Sequence, residues 1–580
     1  MTIYLEDDCY LHSMSKRLLL TLALPIGFAL AIISCNSQPD EATLAKGKDL
    51  FTKHCMSCHG LQDDGIGPPL GGVTSVVAEQ QLIDFIKNPS KYIDSQDIRF
   101  SLLKQKYKLV MPPFEWLPED DISAIVAYLK EQTELFDIPP LDVAQQSNEA
   151  GLSGQLVSAP QPSSISIELE EVVRLPALGE SSDLGVVTLR TSPIGDGAIF
   201  ASDQHGVIYR IKDGKATVFI DLRNELPDFQ SGPGIATGLG AFDFHPDFQS
   251  NGLLYISHAE AYKGQPADYV ISDPLRSVAQ WIVGEWKANN PTDTVFSGTY
   301  RELLRVHAPT FAHGMQDVGF IPGLEKTHPD YGLLYFGYGD GGSNNIHHPE
   351  LGHHPQSFLG SIMRIDPAGS NSNNGKYGIP AGNPFSQDTG DGVVREIYAY
   401  GFRNPHRMAW DETDDHRMFV TDIGEANIEE LNIVLAGGDY GWPVREGNYG
   451  INTIKNLKAV YELSTTDKAL YKGPFAQYDH ETGNAISGGY VYEGNLAALK
   501  DKYVFGDIVN GKLFFVNINP QLSDSTIYQL SVSKNGKETT MQELTGIKRQ
   551  HLRIGYDRVE KEMYIITKAD GKVWKIVKAY

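Results

Sequence analysis

Cys55-Met56-Ser57-Cys58-His59 is the stretch whose reading decides the fold of the first part of this chain. Its pattern is C-x-x-C-H. Two thiols at this spacing can add to the vinyl groups of a haem, and the adjacent histidine can then ligate the iron. The string therefore implies a covalent haem c held by Cys55 and Cys58, with His59 as an axial ligand. Upstream, Leu44 to Phe51 carries apolar residues at helical spacing and would pack beside the haem. Downstream, Gly65-Ile66-Gly67-Pro68-Pro69-Leu70 cannot be helical and reads as a loop covering the proximal face. Met111, in Met111-Pro112-Pro113-Phe114, offers a thioether from a stiff extended segment and suits the sixth position on iron. Pro118-Glu119-Asp120-Asp121 opens a last helix with acids in its first turn, and Ile122, Ile125, Val126 and Leu129 form its apolar face. A zinc or redox dithiol is the other use of such a pair, but no second cysteine pair accompanies it.

From about residue 41 to 135 the sequence resembles a class I cytochrome c throughout, in the loop GIGPPL, the segment MPPF and the closing ISAIVAYL. The resemblance implies a small all-α cytochrome c domain, placed here at 36–136.

The chain has four cysteines, Cys9, Cys35, Cys55 and Cys58. Cys35 closes Ala31-Ile32-Ile33-Ser34-Cys35, directly after an apolar run from Leu18 that follows Met14-Ser15-Lys16-Arg17. A basic start, a short apolar run and small residues before a cysteine resemble a bacterial lipoprotein signal. Residues 1–35 are read as that segment, with Met14 as the start and Cys35 as the lipidated residue. Ordinary signal cleavage nearby, or an uncleaved anchor, are the other readings. Attachment of haem through C-x-x-C-H takes place outside the cytoplasm, so the expected location is the periplasm or cell surface, on the membrane through a lipid anchor.

The 580 residues are too many for one cytochrome. Hydrophobic residues make up 41%, enough for a second large core, and 57 glycines suit many tight turns. The net charge of −24 argues against a nucleic-acid partner and against charge-driven binding to an anionic membrane. Residues 137–165 are rich in Pro, Ser and Gln and read as a linker. From 166 to 580 short β-type runs recur between Gly, Asp and Asn. Six of them stand out: Gly197–Ser202, Gly252–Ser257, Gly332–Tyr338, Arg417–Thr421, Lys502–Asp507 and Glu562–Thr567. Six copies of one strand-and-turn unit imply an all-β six-bladed propeller.

Particular strings in this region resemble the quinoprotein glucose/sorbosone dehydrogenase family. They are Gly238–Phe248 (GLGAFDFHPDF), Gly339-Asp340-Gly341-Gly342, Leu359–Asp366, Tyr400–Pro405 (YGFRNP), Asp422–Glu425 with Glu429–Asn432, and Gly437–Pro443. The resemblance implies a propeller that binds pyrroloquinoline quinone (PQQ) and calcium at one end of its channel and oxidises an aldose or related alcohol. It implies His313 as the catalytic base, since a neutral imidazole suits removal of a sugar hydroxyl proton. It implies Asp340 as the acid orienting that ring, and Arg403 with Asn404 at the quinone. It implies the carbonyls of Gly424 and Glu425 as calcium ligands, and Glu429, Glu430 and Tyr440 at a second, structural calcium.

This chain departs from the family pattern in places. Ala236 stands where the family has a glutamine, and a late basic pair is matched to Lys548-Arg549-Gln550-His551, with one arginine lost. Lys548, Arg549, Arg553 or other side chains would then hold the quinone carboxylates, with Lys512 a further basic residue placed by location only. His347, His348, His353 and His354 read as solvated loop histidines, with a metal-binding cluster as the other reading. The expectation is a quinohaemoprotein dehydrogenase for a small sugar or polyol, passing electrons through haem to an external cytochrome or terminal oxidase. The alternative is an electron-carrier cytochrome fused to a non-catalytic binding propeller.

Overall fold

The computed structural model describes residues 39–580 apart from 57–58, 62–66, 94–98, 101–102, 105–106, 108–110, 137, 142–150, 153–154, 179–184, 233–235, 271–276, 347, 391, 413–415 and 454–455. Cys35 and Cys58 lie outside the described residues. Among those described, no helix is long and apolar enough to cross a membrane.

The N-terminal region is helical. Helix Glu41–His54 packs against helix Glu119–Leu135. The crossing is close because Gly47 has no side chain: a Cβ there would lie 2.0 Å from the Ala124 carbonyl oxygen. One helical turn further on, Phe51 and Tyr128 bring their rings to 5.6 Å. Phe51, Cys55, Leu82, Ile83, Ile122, Ile125, Val126 and Leu129 share one core. The acids Glu119, Asp120 and Asp121 stand at the positive end of their helix dipole, as the sequence implied.

The rest is a ring of antiparallel sheets. Its inner strands are Val186–Thr191, Leu239–Phe244, Asp317–Gly319, Pro405–Trp410, Ile486–Val491 and Leu552–Asp557. Each touches the next, and the last returns to the first, so six blades close around a channel. The repeated strings in the sequence supply the second strand of each blade: Ile199–Asp203, Leu253–Ala261, Leu334–Tyr338, Met418–Asp422, Lys502–Asp507 and Glu562–Thr567. These strands are buried on both faces, which accounts for their continuous apolar runs.

Pairing register decides where the loops gather. The start of each inner strand lies opposite the end of its second strand: Val186 opposite Asp203, Leu239 opposite His258, Asp317 opposite Gly337, Pro405 opposite Asp422, Ile486 opposite Asp507 and Leu552 opposite Thr567. Residues just before an inner strand and just after a second strand therefore meet at the same end of the channel.

Strand Gln161–Arg174 closes the ring. It starts inside the segment expected as linker, because its backbone pairs antiparallel with Lys572–Ala579 and parallel with Tyr528–Lys534. The N-terminal strand thus completes the last blade and joins it to the fifth. The fourth blade carries an inserted three-stranded sheet, Arg445–Glu446, Tyr449–Asn452 and Asn456–Glu462. The connecting segment lies against it: Leu152 N donates to Val460 O at 2.8 Å, and Tyr449 Oη donates to Leu156 O at 2.5 Å. On the same sheet Lys458 Nζ stands 4.2 Å from the ring centroid of Tyr107, in the helical region.

Leu169 is 2% exposed on the closing strand. Leu169→Ala should lower propeller stability by about 2–5 kcal/mol, seen as earlier loss of its sheet signal on heating or in denaturant. An unchanged transition would show that this strand does not secure the ring.

Candidate active site

His313 precedes the third inner strand, and Asp340 follows that blade's second strand, so the register brings them together. His313 Nδ1 and Asp340 Oδ1 are 2.6 Å apart. A carboxylate can only accept, so Nδ1 carries the proton and Nε2 is left for other chemistry. Asp340 is fully buried and further held by the Gly342 amide at 2.8 Å and by Trp442 Nε1 at 3.1 Å. Burial opposes its charge, but the His313 ring, Arg403 and the Gly342 amide outweigh that and hold the carboxyl below its ordinary range. His313 itself has φ +48, a left-handed backbone that costs a non-glycine residue on the order of 1 kcal/mol or more. The following Gly314 is sterically required, since a Cβ there would lie 2.0 Å from the Trp281 ring.

Arg403 lies at the same end, before the fourth inner strand. Its Nε donates to Glu425 Oε2 at 2.7 Å and its Nη1 to Ile423 O at 3.0 Å, while its plane faces the Trp442 ring at 5.7 Å. The Glu425 side chain therefore has a task the sequence did not show: it anchors the arginine. Asn404 is buried, and its Oδ1 has no partner among the described residues. The backbone amides of Arg403 and Asn404 both donate to Asp422, at 3.0 and 2.6 Å.

Asp422 pairs across the strands with Glu430. Burial pushes the Asp422 carboxyl well up, and the neighbouring Glu430 adds to this; burial raises Glu430 too. These two acids line a small cavity with Arg403, Gly424, Tyr440, Trp442, Arg445 and Glu446. A buried acidic pair of this kind fits a hard cation such as calcium. Among the described residues no three acidic, histidine or cysteine side chains converge as a metal site. A cation here would draw on two carboxylates and on carbonyls.

Glu429, grouped with Glu430 in the sequence reading, does something else. Adjacent strand residues point to opposite faces. Its carboxylate accepts from His480 Nε2 at 2.8 Å and from the Ile486 amide at 2.9 Å. The Tyr440 phenol donates to Ile433 O at 2.8 Å and accepts from Leu435 N at 3.1 Å, which leaves the backbone of Tyr440, not its side chain, for a metal.

The channel end is also rich in buried cations. Arg407 donates to the carbonyls of Gln316, His406 and Val187, reaching across blades. Arg553 donates to Leu552 O at 2.9 Å, and its Nε has no partner among the described residues. Burial lowers both guanidiniums from their ordinary value; Arg407 and Arg549 push Arg553 further. His406 is driven well down by burial and by the charges of Arg407, Arg553 and Lys568, so it is neutral. Arg190 shows the contrast: its Nη2 meets Asp317 Oδ1 at 2.8 Å. Buried cations satisfied by neutral oxygens fit a bound polyanion, and PQQ is a tricarboxylate.

Lys548 and Arg549 are exposed; of that stretch it is Arg553 that reaches the channel. Lys512 is exposed and donates to Thr482 O at 3.2 Å. His353 pairs with Asp439 at 2.8 Å and His348 with Glu350 at 2.9 Å, so these histidines form no common cluster; His347 lies outside the described residues. Trp442, His406, Arg407 and Lys568 escaped the sequence reading. For His406 and Arg407 a signal existed, because they open the inner strand directly after Arg403-Asn404.

In the helical region His59 Nδ1 lies 2.7 Å from Pro68 O. A carbonyl only accepts, so Nδ1 is protonated and Nε2 is presented for a metal, the usual outer support of a ligating histidine. Burial holds the ring below its ordinary pKa and keeps it neutral. Gly67 allows the close approach of the loop, since a Cβ there would lie 2.3 Å from the His59 ring. Cys55 is buried beside this ring's segment and Met111 is half-buried. These residues fit haem.

Known proteins agree with this division. Residues 188–573 match the Glucose / Sorbosone dehydrogenase family model and residues 44–133 match Cytochrome c. Among curated relatives, HIPL1 protein of Arabidopsis thaliana is 24% identical over 70% of this chain and 62% of its own length. Quinoprotein glucose dehydrogenase B of Acinetobacter calcoaceticus is 25% identical over 54% of this chain and 62% of its own. The chain thus spans about six tenths of each of these relatives. The soluble aldose sugar dehydrogenase of Escherichia coli, solved in its apo form, shares the fold with a TM-score of 0.50 at 17% identity, over 72% of this chain and 99% of that one. With a propeller matched from its first inner strand to its last blade, the chain belongs to the glucose/sorbosone dehydrogenase family and carries a cytochrome c domain ahead of it.

Proposed function

We propose that this protein is an extracytoplasmic quinohaemoprotein dehydrogenase that oxidises an aldose or polyol and passes the electrons to an external cytochrome or terminal oxidase. The observation that carries the reading is His313 oriented by buried Asp340, beside a channel end with an excess of buried cations. PQQ, when bound, supplies the two-electron acceptor for the C–H bond. His313 Nε2 takes the proton of the substrate hydroxyl. Asp340 holds the ring in the tautomer that allows this and stabilises the imidazolium that results. Trp442 and Gly342 keep Asp340 ionised and in place. Arg403, set by Glu425, and Asn404 are the residues that would orient the cofactor, and Arg553 and Arg407 would meet its carboxylates. Asp422 and Glu430, with the carbonyls of Gly424, Glu425 and Tyr440, would hold calcium. Cys55, Cys58, His59 and Met111 would hold haem, which would supply a one-electron carrier of raised potential. Cys35, lipidated, would tether the protein to the membrane.

One observation favours a second reading, a non-catalytic binding propeller: the Arg403 guanidinium is already engaged by Glu425. A haem domain ahead of an inert propeller would have no electron source, so the dehydrogenase reading is the stronger. The deciding experiment adds PQQ and calcium to the purified protein, offers sugars and polyols, and follows the haem bands. Failure with every substrate would leave the binding propeller.

His313→Ala should slow substrate-dependent haem reduction by about 10²–10⁴-fold, with dithionite reduction unchanged; an unaffected rate would remove His313 as the base. Calcium should raise the unfolding temperature of the wild type, by a stabilisation of about 2.7 kcal/mol at a hundredfold excess over its dissociation constant. Glu430→Gln should remove that response, and a retained response would place the metal elsewhere. Cys35→Ala should move the protein from the membrane to the soluble fraction; if it stays membrane-bound, the lipid-anchor reading fails.

A further inference from the structure

The sheet inserted in the fourth blade holds a residue to which neither the sequence reading nor the proposed chemistry gives a task. Glu446 ends its first strand and is 2% exposed. Its Oε1 accepts from three successive backbone amides, Ala426 at 3.1 Å, Asn427 at 2.8 Å and Ile428 at 2.9 Å. Its Oε2 accepts from Asn427 Nδ2 at 2.9 Å. The same Nδ2 donates to Leu457 O at 2.8 Å, on the third strand of the inserted sheet. Two strands of the insertion thus grip one asparagine.

Those amides belong to the loop that joins the second and third strands of the blade, Met418–Asp422 and Ile428–Val434, at the cofactor end. Successive amides turned toward one point form a concavity for an anion, and here the protein supplies the anion itself. The loop is drawn in closely: a Cβ on Gly424 would collide with Ile428 O and lie 2.6 Å from Glu446 Oε1. The loop also carries the groups that set Arg403. Ile423 O accepts from Arg403 Nη1 at 3.0 Å, and Glu425 Oε2 accepts from its Nε at 2.7 Å. Gly424 and Glu425 are the residues whose carbonyls would hold calcium. On its other side the loop is held by Glu429 and His480: Gly424 N donates to Glu429 Oε2 at 3.4 Å, and His480 N to Asn427 O at 3.0 Å.

Without Glu446, three buried amides and one side-chain amide would lose their acceptor, a cost the loop escapes only by moving. A moved loop takes Glu425 away from Arg403 and the two carbonyls away from the metal. We propose that Glu446 is the positioning residue of the cofactor end: by fixing residues 423–428 it sets Arg403 for the quinone and the loop carbonyls for calcium. Both of its oxygens are engaged by the loop, so it acts through Ile423, Gly424 and Glu425 and not as a ligand. The proposal rests on the quinone and calcium reading above.

The test uses the full-length, haem-loaded protein. Equilibrium dialysis measures calcium binding without quinone and PQQ binding at saturating calcium, beside the unfolding midpoint of the metal-free protein. Glu446→Ala should raise both dissociation constants about tenfold to a hundredfold, the effect of losing a charged acceptor of buried hydrogen bonds. Glu446→Gln keeps one oxygen for the three amides but sets its own NH₂ against Asn427 Nδ2, so it should raise them less. In an Arg403→Ala background the effect of Glu446→Gln on PQQ should largely vanish, because no arginine is left to set; a merely structural role would add its loss in either background. If Glu446→Ala does not fold, Glu446→Gln and its cycle with Arg403→Ala carry the same test. Unchanged binding in the variants, a lowered midpoint with unchanged binding, or an additive cycle overturns the proposal and leaves the quinone reading standing. No binding of either ligand by wild type overturns both.

Discussion

Everything at the cofactor end depends on the backbone pairing that closes the ring. Strand Gln161–Arg174 is the partner that Lys572–Ala579 lacks within its own blade, and it reaches across to Tyr528–Lys534. An open ring would leave six inner strands free to splay. Closed, they set six strand starts around one mouth, and antiparallel register adds the six second-strand ends. His313, Asp340, Arg403, Gly424, Gln204, Arg553 and Lys568 come from four blades and lie up to hundreds of residues apart. They meet because pairing, not sequence proximity, sets their positions.

That mouth is divided by charge. Asp422 and Glu430 form a buried acidic pair in the fourth blade whose ionised forms burial disfavours and a divalent cation would favour. Arg407, Arg553 and Lys568 form a positive group around neutral His406. His313 is tied to Asp340 and through it to Trp442. Such a separation is unfavourable for folding by itself.

The two domains touch at the sheet inserted in the fourth blade. Glu446 on that sheet accepts from the amides of Asn427 and Ile428 at 2.8 and 2.9 Å, close behind Glu425 and Arg403. Lys458 on the same sheet lies over Tyr107 of the helical region. The insertion thus bridges the wall of the channel mouth and the domain built around His59.

The sequence by itself determined the parts whose chemistry is local. C-x-x-C-H and the helices about it declare the haem domain, because covalent attachment needs fixed neighbours. Six apolar second strands declare the blades, because strands buried on both faces must be continuously apolar. His313 and Asp340 were legible through the family resemblance. Tertiary structure decided the rest. Glu429 and Glu430 are neighbours in sequence, yet the pleat sends one to His480 and the other to Asp422. Lys548 and Arg549 look basic enough to hold a polyanion but are exposed, while Arg553 is turned inward on an inner strand. Lys568 and Gln204 sit in turns that look ordinary in sequence, and only closure of the first blade on the last brings them within 2.7 Å. A charge acts through distance and burial, and neither is written in the chain until the ring is closed.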